Sequence, residues 1–157
     1  MEIERKFLVG HDVPELDRSD SVSLRQGYLI VADSGEARVR DADGCYTLTI
    51  KTGAGLVRAE YEIELTSVQF ETLWPASAAQ RVEKRRYRLP VDERVCELDV
   101  YAGALEGFVT VEVEFPTVDD ARRFAVPAWF GPEVTGIPGY TNAELAQNGI
   151  PRDWDGR

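Results

Sequence analysis

The sequence feature that most constrains the fold is an alternation of charged and apolar residues with a period of two. The chain begins Met1-Glu2-Ile3-Glu4-Arg5-Lys6, so Glu2, Glu4 and Lys6 occupy every second position. Successive side chains of a β-strand point to opposite faces, and these three charges would therefore share one face. Glutamate is a poor strand former, so a strand of this kind indicates a specific use for its charges.

The alternation recurs along the chain, and acidic segments are separate from basic ones. The charged residues that share a strand face in this way are Arg38 and Arg40, Glu60, Glu62 and Glu64, Lys84, Arg86 and Arg88, Glu97 and Asp99, and Glu112 and Glu114, while Lys51 shares a face with Thr47 and Thr49. In one interpretation these ionic faces point to solvent, as in most antiparallel sheets. In the other they line a barrel, and the apolar faces pack outward against Phe70, Leu73, Trp74 and Phe124. The segregation of the two signs of charge favours the barrel.

Turn signals divide the chain into short strands. The predicted strands cover 1–7, 22–31, 36–40, 45–51, 57–65, 80–89, 95–101 and 108–115. Helical spacing and capping residues predict helices over 66–74, 121–124 and 141–146. This order indicates an α+β fold that is mainly antiparallel β, built as a sheet or barrel with a few helices packed outside.

Composition limits the functional classes. The 157 residues fit a single domain, 1–157, whose Gly/Pro-rich C-terminal segment, about 127–157, includes the last short helix. No apolar run approaches the ~20 residues that span a bilayer, and the Glu-rich start is unlike a signal peptide. Two cysteines indicate a reduced, cytoplasmic protein. The net charge of −10 argues against binding to nucleic acid or an anionic membrane.

The residue types on the ionic faces predict a metal and phosphate site. Clustered carboxylates need counter-charge, because like charges close together would otherwise take up protons. Carboxylate oxygens without His or Cys suit Mg²⁺ or Mn²⁺, and Arg and Lys groups opposite them suit phosphate oxygens. Acidic residues, a divalent cation and a basic clamp together indicate phosphoryl transfer.

An ordered set of motifs resembles the CYTH family, also called triphosphate tunnel metalloenzymes. The opening segment resembles the family's Glu-x-Glu-x-Lys signature. Further matching segments are Leu24-Arg25-Gln26-Gly27-Tyr28-Leu29, Arg38-Val39-Arg40, Leu48-Thr49-Ile50-Lys51, Glu60-Tyr61-Glu62-Ile63, Glu83-Lys84-Arg85-Arg86-Tyr87, Glu97-Leu98-Asp99-Val100 and Val111-Glu112-Val113-Glu114-Phe115. The resemblance implies an eight-stranded closed barrel whose charged interior forms a tunnel. It also implies hydrolysis of inorganic triphosphate, since the compact bacterial inorganic triphosphatases are the most similar members.

The resemblance also assigns roles by matching position and implies two divalent ions, Mg²⁺ or Mn²⁺. The expected metal ligands are Glu2, Glu4, Glu60, Glu62, Asp99, Glu112 and Glu114. The expected substrate-binding residues are Lys6, Arg38, Arg40, Lys51, Arg58, Lys84 and Arg86, with Arg88 as a further member. The expected catalytic residues are Glu62, Glu114 and Lys84, with Glu62 and Glu114 holding the ion that polarises the attacking water.

One position departs from the family pattern. Related sequences often carry a Lys after the Tyr that matches Tyr140, in the helix that plugs one end of the tunnel, and this chain has Thr141 there. One substrate contact is therefore in question.

Other functions remain open on the same scaffold. They are a class IV type adenylate cyclase, a thiamine or nucleoside triphosphatase, and a non-catalytic polyphosphate-binding module. The apolar outer strand faces also leave room for a homodimer.

Overall fold

The structure is a computed structural model that describes residues 3–9, 12–52 and 59–154. Its strands are β1 (Ile3–Val9), β2 (Ser21–Ala32), β3 (Gly35–Ala42), β4 (Cys45–Thr52), β5 (Ala59–Leu65), β6 (Arg81–Val91), β7 (Arg94–Ala102), β8 (Val109–Phe115) and β9 (Phe130–Glu133). Its helices are α1 (Ser67–Leu73), α2 (Val118–Arg123) and α3 (Asn142–Asn148). These helices have six or seven residues each, and no helix of the described ranges could cross a membrane.

All nine strands belong to one sheet in the order β5-β4-β3-β2-β6-β7-β8-β1-β9, and every pairing is antiparallel. The expectation of a mainly antiparallel α+β fold is confirmed. Within the described residues the sheet is open, with β5 at one edge and β9 at the other. The closed barrel expected from the family resemblance is therefore not confirmed.

The eight predicted strands are present, and a ninth was missed. Strand β9 contains Gly131 and Pro132, which the sequence analysis assigned to a turn-rich tail. Proline is tolerated at a sheet edge, where its missing N–H is not needed. Two residue pairs with β1, Phe7 with Glu133 and Val9 with Phe130, define the strand. The Arg5 guanidinium anchors it by donating from Nε to Glu133 Oε1 at 2.9 Å and from Nη2 to Oε2 at 2.6 Å.

In the central strands the charged side of the sheet is buried as well as the apolar side. Thr49 on β4 is 1% exposed while its neighbour Ile50, on the opposite face, is 40% exposed. We call the side that carries Lys6, Arg38, Thr49, Lys84 and Glu112 the ionic face, and the other side the apolar face. This burial confirms that the ionic face is not simply the solvated side of the sheet.

The helices cover much of the apolar face. Helix α1 starts at a capping box in which Thr66 and Gln69 exchange side-chain and backbone hydrogen bonds. It places Phe70, fully buried, against Tyr46 at 5.0 Å and Trp74 at 5.2 Å between ring centroids.

Helix α2 and β9 cover the other end of the apolar face. Phe124, at the end of α2, lies edge-on to Phe115 of β8 with ring centroids 5.2 Å apart, and Phe130 of β9 contacts Phe7 of β1 at 5.0 Å. The predicted outward packing of Phe70, Trp74 and Phe124 is therefore observed.

Gly27 marks the closest approach of α1's C-terminal turn to the sheet. A Cβ added to Gly27 would lie 2.6 Å from Ser77 Cβ and 2.9 Å from Trp74 Cζ3. Both distances are well inside van der Waals contact, so any side chain at this position forces the turn away from β2.

We predict that Gly27→Ala lowers the free energy of unfolding by about 1–3 kcal/mol, the usual cost of overpacking. Urea denaturation would measure it. Because Ser77 is the main obstacle, the same substitution in a Ser77→Gly background should cost clearly less. Equal costs in the two backgrounds would show that the clash with Ser77 is not the cause.

Candidate active site

Cations of the ionic face converge on one cavity of about 330 Å³, the main cavity. Strand pairing brings Lys6, Arg38 and Lys51 to its wall from β1, β3 and β4. Four glutamates, Glu4, Glu36, Glu112 and Glu144, also line it. The segment 134–144, which leads into α3, forms the opposite side. The chain has only three lysines, Lys6, Lys51 and Lys84, and all three occupy the ionic face.

Lys6 is held at the floor of the main cavity by its strand register. It lies opposite Glu112 in the β1–β8 ladder, and its Nζ is 2.9 Å from Glu112 Oε1. The Thr135 hydroxyl accepts a hydrogen bond of 2.9 Å from the Lys6 backbone N–H, which ties the C-terminal segment to β1. Burial tends to raise the pKa of Glu112, but Lys6 and Lys84 outweigh it and the pKa is lowered, so Glu112 is ionised.

Arg38 and Arg40 supply positive charge that the described residues only partly balance. Arg38 is 9% exposed, and its Nε has no hydrogen-bond acceptor among the described residues. Arg40 donates from Nε to the side-chain oxygen of the buried Gln26 at 3.0 Å, an uncharged partner. Burial, together with Arg38 and Arg86, lowers the pKa of Arg40 to about 10. An anion in this region would relieve both effects.

Asp99 anchors two predicted substrate ligands instead of facing the cavity. Its side chain is fully buried, and it lies 2.5 Å from Lys84 Nζ and 2.8 Å from both Nε and Nη2 of Arg86. Burial alone would raise the pKa of Asp99, but these two cations lower it to about 2. Arg86 also contacts Glu97 and Glu112, so its guanidinium joins three carboxylates.

A second cavity of about 410 Å³, the side cavity, opens at the far end of β6, β7 and β8. It is lined by Arg88, Pro90, Val95, Glu97, Glu112 and Glu114. Glu112 belongs to the walls of both cavities, so the Lys6–Glu112–Arg86 ion pairs lie between them. The ionic face is thus accessible from two ends.

Strand β5 contributes carboxylates at the sheet edge. Glu60 lies 3.0 Å from Lys51 Nζ, and Glu62 accepts a hydrogen bond of 2.7 Å from the hydroxyl of the buried Thr49. Both residues are exposed, since nothing among the described residues covers the ionic side of β5. Their side chains nevertheless point to the same face as Arg38 and Arg40.

The donor set of the ionic face fits a hard divalent cation. Glu4 lies directly opposite Glu114 in the β1–β8 register, and Glu112 follows Glu114 at the next position on the same face. Like charges opposite each other in a ladder are unfavourable unless a counter-charge binds between them. Within the described ranges, however, no three carboxylate, imidazole or thiol side chains are grouped closely enough to hold an ion. The chemistry of the donors fits, and the grouping is incomplete.

Comparison with known proteins identifies the family. A CYTH domain profile matches residues 1–125, which is most of the chain. The chain belongs to the CYTH family.

Two named relatives and one solved structure match almost end to end. An inorganic triphosphatase from Nitrosomonas europaea is 49% identical over 148 residues, covering 92% of this chain and 96% of that protein. An inorganic triphosphatase from Acetivibrio thermocellus is 36% identical over 149 residues, 94% of each chain. A solved structure named as an inorganic triphosphatase superposes with a TM-score of 0.74 at 44% identity, covering 96% of this chain and 97% of that one.

The CYTH site predicted from sequence is brought together in part. Most of its residues lie on the ionic face, whereas Glu2 and Arg58 fall outside the described residues. Lys84 and Asp99 are sealed beneath the surface and do not line either cavity. The roles assigned to these residues stay predictions.

Two polar residues of the site were missed by the sequence analysis. Gln26 lies between Leu24 and Tyr28 on an otherwise apolar stretch of β2, so no charge pattern marked it. Asn142 touches Lys84 across 58 positions of sequence, a contact that only the tertiary fold creates.

Replacement of Asp99 tests the buried charge network of this CYTH chain. We expect Asp99→Asn to lower the free energy of unfolding by about 3–5 kcal/mol near neutral pH, because Lys84 and Arg86 lose a buried counter-ion. The carboxylate's pKa falls from 3.8 to about 2 on folding. Its contribution is therefore complete above the unfolded pKa and is lost as pH falls through about 2.

The measurement is urea denaturation of both proteins, with a chelator present, from pH 6 to pH 2. The difference in the free energy of unfolding between the two proteins should shrink by about 2 kcal/mol as pH falls below 4. A gap that does not change with pH would contradict an ionised Asp99 as the centre of the network.

Proposed function

We propose that the chain hydrolyses inorganic triphosphate to pyrophosphate and phosphate on the ionic face. The observation that carries the proposal is the convergence of Lys6, Arg38 and Lys51 on the main cavity, where the buried Nε of Arg38 lacks an acceptor among the described residues. Small, highly charged anions suit such a site, because several fixed cations can contact their oxygens at once. The relatives named as inorganic triphosphatases support the choice of substrate.

In the proposed mechanism the cations bind and orient the triphosphate. The proposed substrate ligands are Lys6, Arg38, Arg40, Lys51, Arg58, Lys84 and Arg86. Lys84 lines neither cavity and would act through its charge from behind Asn142. Phosphoryl transfer requires mainly positioning and charge neutralisation, so these groups would stabilise charge on the leaving pyrophosphate. Low exposure of Lys6 and Arg38 strengthens their interaction with the anion, since little water screens it.

We propose two divalent ions, Mg²⁺ or Mn²⁺, as the cofactors. Glu2, Glu4 and Glu112 would hold one ion, and Glu62 and Glu114 the other, with Glu60 and Asp99 supporting the second site. Such ions supply charge neutralisation and lower the pKa of bound water. Glu62 and Glu114, with Lys84, are the proposed catalytic residues. Thr49 supports this by orienting Glu62 through its hydroxyl, and Lys6 keeps Glu112 ionised.

We also propose that the working form is a closed eight-stranded barrel within a single domain, 1–157, plugged by the C-terminal segment. Strand β5 is the element that closure would move, because its carboxylates face the ionic side and remain exposed. Closure would bring Glu60 and Glu62 over the bound triphosphate and exclude water from it.

The remaining proposals concern partners and location. A homodimer is supported by the exposed apolar side chains of Ile30, Ile50 and Tyr61, which lie in one cross-strand row of the apolar face, with Ala37 between Ile30 and Ile50. A cytoplasmic location and the lack of nucleic-acid or membrane partners follow from the acidic composition and the two free thiols.

The function is tested by phosphate release from inorganic triphosphate, ATP and thiamine triphosphate, each with Mg²⁺, Mn²⁺ or a chelator. We expect fast release from inorganic triphosphate that the chelator abolishes. Glu4→Gln should reduce kcat/KM by about 100-fold or more, because it removes a metal-binding oxygen opposite Glu114.

Glu71→Gln serves as the matched control. Glu71 is an exposed glutamate on α1, across the sheet from the ionic face, so its substitution should leave turnover unchanged. Cyclic AMP formed from ATP would replace the proposal with a cyclase. Undiminished turnover in chelator would contradict the metal-dependent mechanism.

A further inference from the structure

Asn142, the first residue of α3, joins the C-terminal segment to the ionic face. Its side-chain Oδ1 accepts a hydrogen bond of 2.8 Å from the Tyr101 hydroxyl and one of 3.3 Å from Lys84 Nζ. Both donors are buried, and Lys84 has no exposed side-chain surface. Asn142 thus covers the end of the Lys84 side chain, on the side from which the main cavity is open.

The position of Asn142 is fixed from both sides. Thr141 caps α3, because its hydroxyl accepts a hydrogen bond from the Glu144 N–H. The Glu144 carboxylate in turn accepts hydrogen bonds from the Thr141 N–H and hydroxyl. On the other side Tyr140 packs against Phe108 with ring centroids 6.3 Å apart. Thr141 therefore has a structural use as the N-cap of α3.

The two hydrogen bonds to Oδ1 also fix which way the amide faces. The Lys84 ammonium can only donate, so Oδ1 must face it, and the Tyr101 hydroxyl donates to the same oxygen. The NH₂ group therefore points away from both. Nothing among the described residues accepts from Nδ2, and Asn142 is part of the wall of the main cavity, together with Lys6 and Arg38. The amide therefore presents its two N–H donors to the space that the triphosphate would occupy.

We propose that Asn142 is a further substrate-binding residue, which holds Lys84 with Oδ1 and donates to a phosphate oxygen with Nδ2. This inference rests on the proposed function for the identity of the anion. The unpaired, nine-tenths buried Nε of Arg38 in the same cavity independently indicates an anionic ligand. A neutral donor suits this position, because it adds a hydrogen bond without adding another cation beside Lys84.

The test separates the two ends of the amide. Asn142→Asp keeps an oxygen for Lys84 and Tyr101 but replaces the donor with a carboxylate that repels phosphate. Asn142→Ala removes both. Gln147→Ala is the control, since the Gln147 side chain of α3 donates to Gln80 at 3.0 Å on the exposed side, away from Lys84.

Calorimetry would measure binding of the non-hydrolysable imido analogue of tripolyphosphate, with thermal unfolding and turnover of tripolyphosphate measured alongside. We expect Asn142→Asp to weaken binding by about 10-fold or more and to raise KM, with an unchanged or higher Tm. Asn142→Ala should weaken binding and lower Tm. Gln147→Ala should bind as the wild type does.

Wild-type affinity in both Asn142→Asp and Asn142→Ala would overturn the inference and leave Asn142 a structural residue. If the wild type binds the analogue but does not hydrolyse tripolyphosphate, the proposed function fails while the binding comparison still decides the role of Asn142. If the wild type does not bind the analogue at all, both proposals fail.

Discussion

The structure depends on the burial of charge along one face of an antiparallel sheet. A protein interior disfavours ionised groups unless each finds a partner, and here Lys6, Lys84 and Asp99 are nearly or completely buried. Strand register supplies those partners, since Lys6 lies opposite Glu112 and Arg86 opposite Asp99. The pairing of alternate residues across strands is thus what makes a charged interior compatible with folding.

Among the described residues, the hydrogen bonding of the buried guanidinium groups is incomplete at Arg38, which lies in the candidate site. Around Asp99, two cations share one carboxylate and the carboxylate is held ionised. Around Arg38 and Arg40, the nearby groups include uncharged Gln26 and Tyr28, and burial lowers the pKa of Arg40. A bound anion would supply the missing negative charge. The buried guanidinium groups that destabilise this region without a ligand are therefore the groups that bind the ligand.

Much of the architecture could be predicted from the sequence, because a period of two in charged residues is a strong signal. The eight longer strands, the ionic face and the outward packing of Phe70 and Phe124 all follow from it. Strand β9 could not be predicted, because its Gly131-Pro132 pair is a turn signal that only an edge position overrides. Whether the sheet closes depends on contacts between its two edge strands. The local sequence pattern does not determine those contacts.

The candidate site was predictable to a similar degree. Alternation places Lys6, Arg38 and Glu112 on one face, but it cannot show that Asp99 turns both oxygens to Lys84 and Arg86. Asn142 was not predictable, because its contact with Lys84 joins residues of different elements far apart in sequence. Such contacts decide which of the charged residues reach the cavity.

The most direct test of the central claim is an NMR spectrum of protein labelled with ¹³C only at lysine. The three lysines all lie on the ionic face, so every side-chain signal reports on it. Binding of the imido analogue of tripolyphosphate with Mg²⁺ should shift the signals of Lys6, Lys51 and Lys84 together. Saturating analogue that leaves all three signals in place would contradict an ionic face built to bind triphosphate.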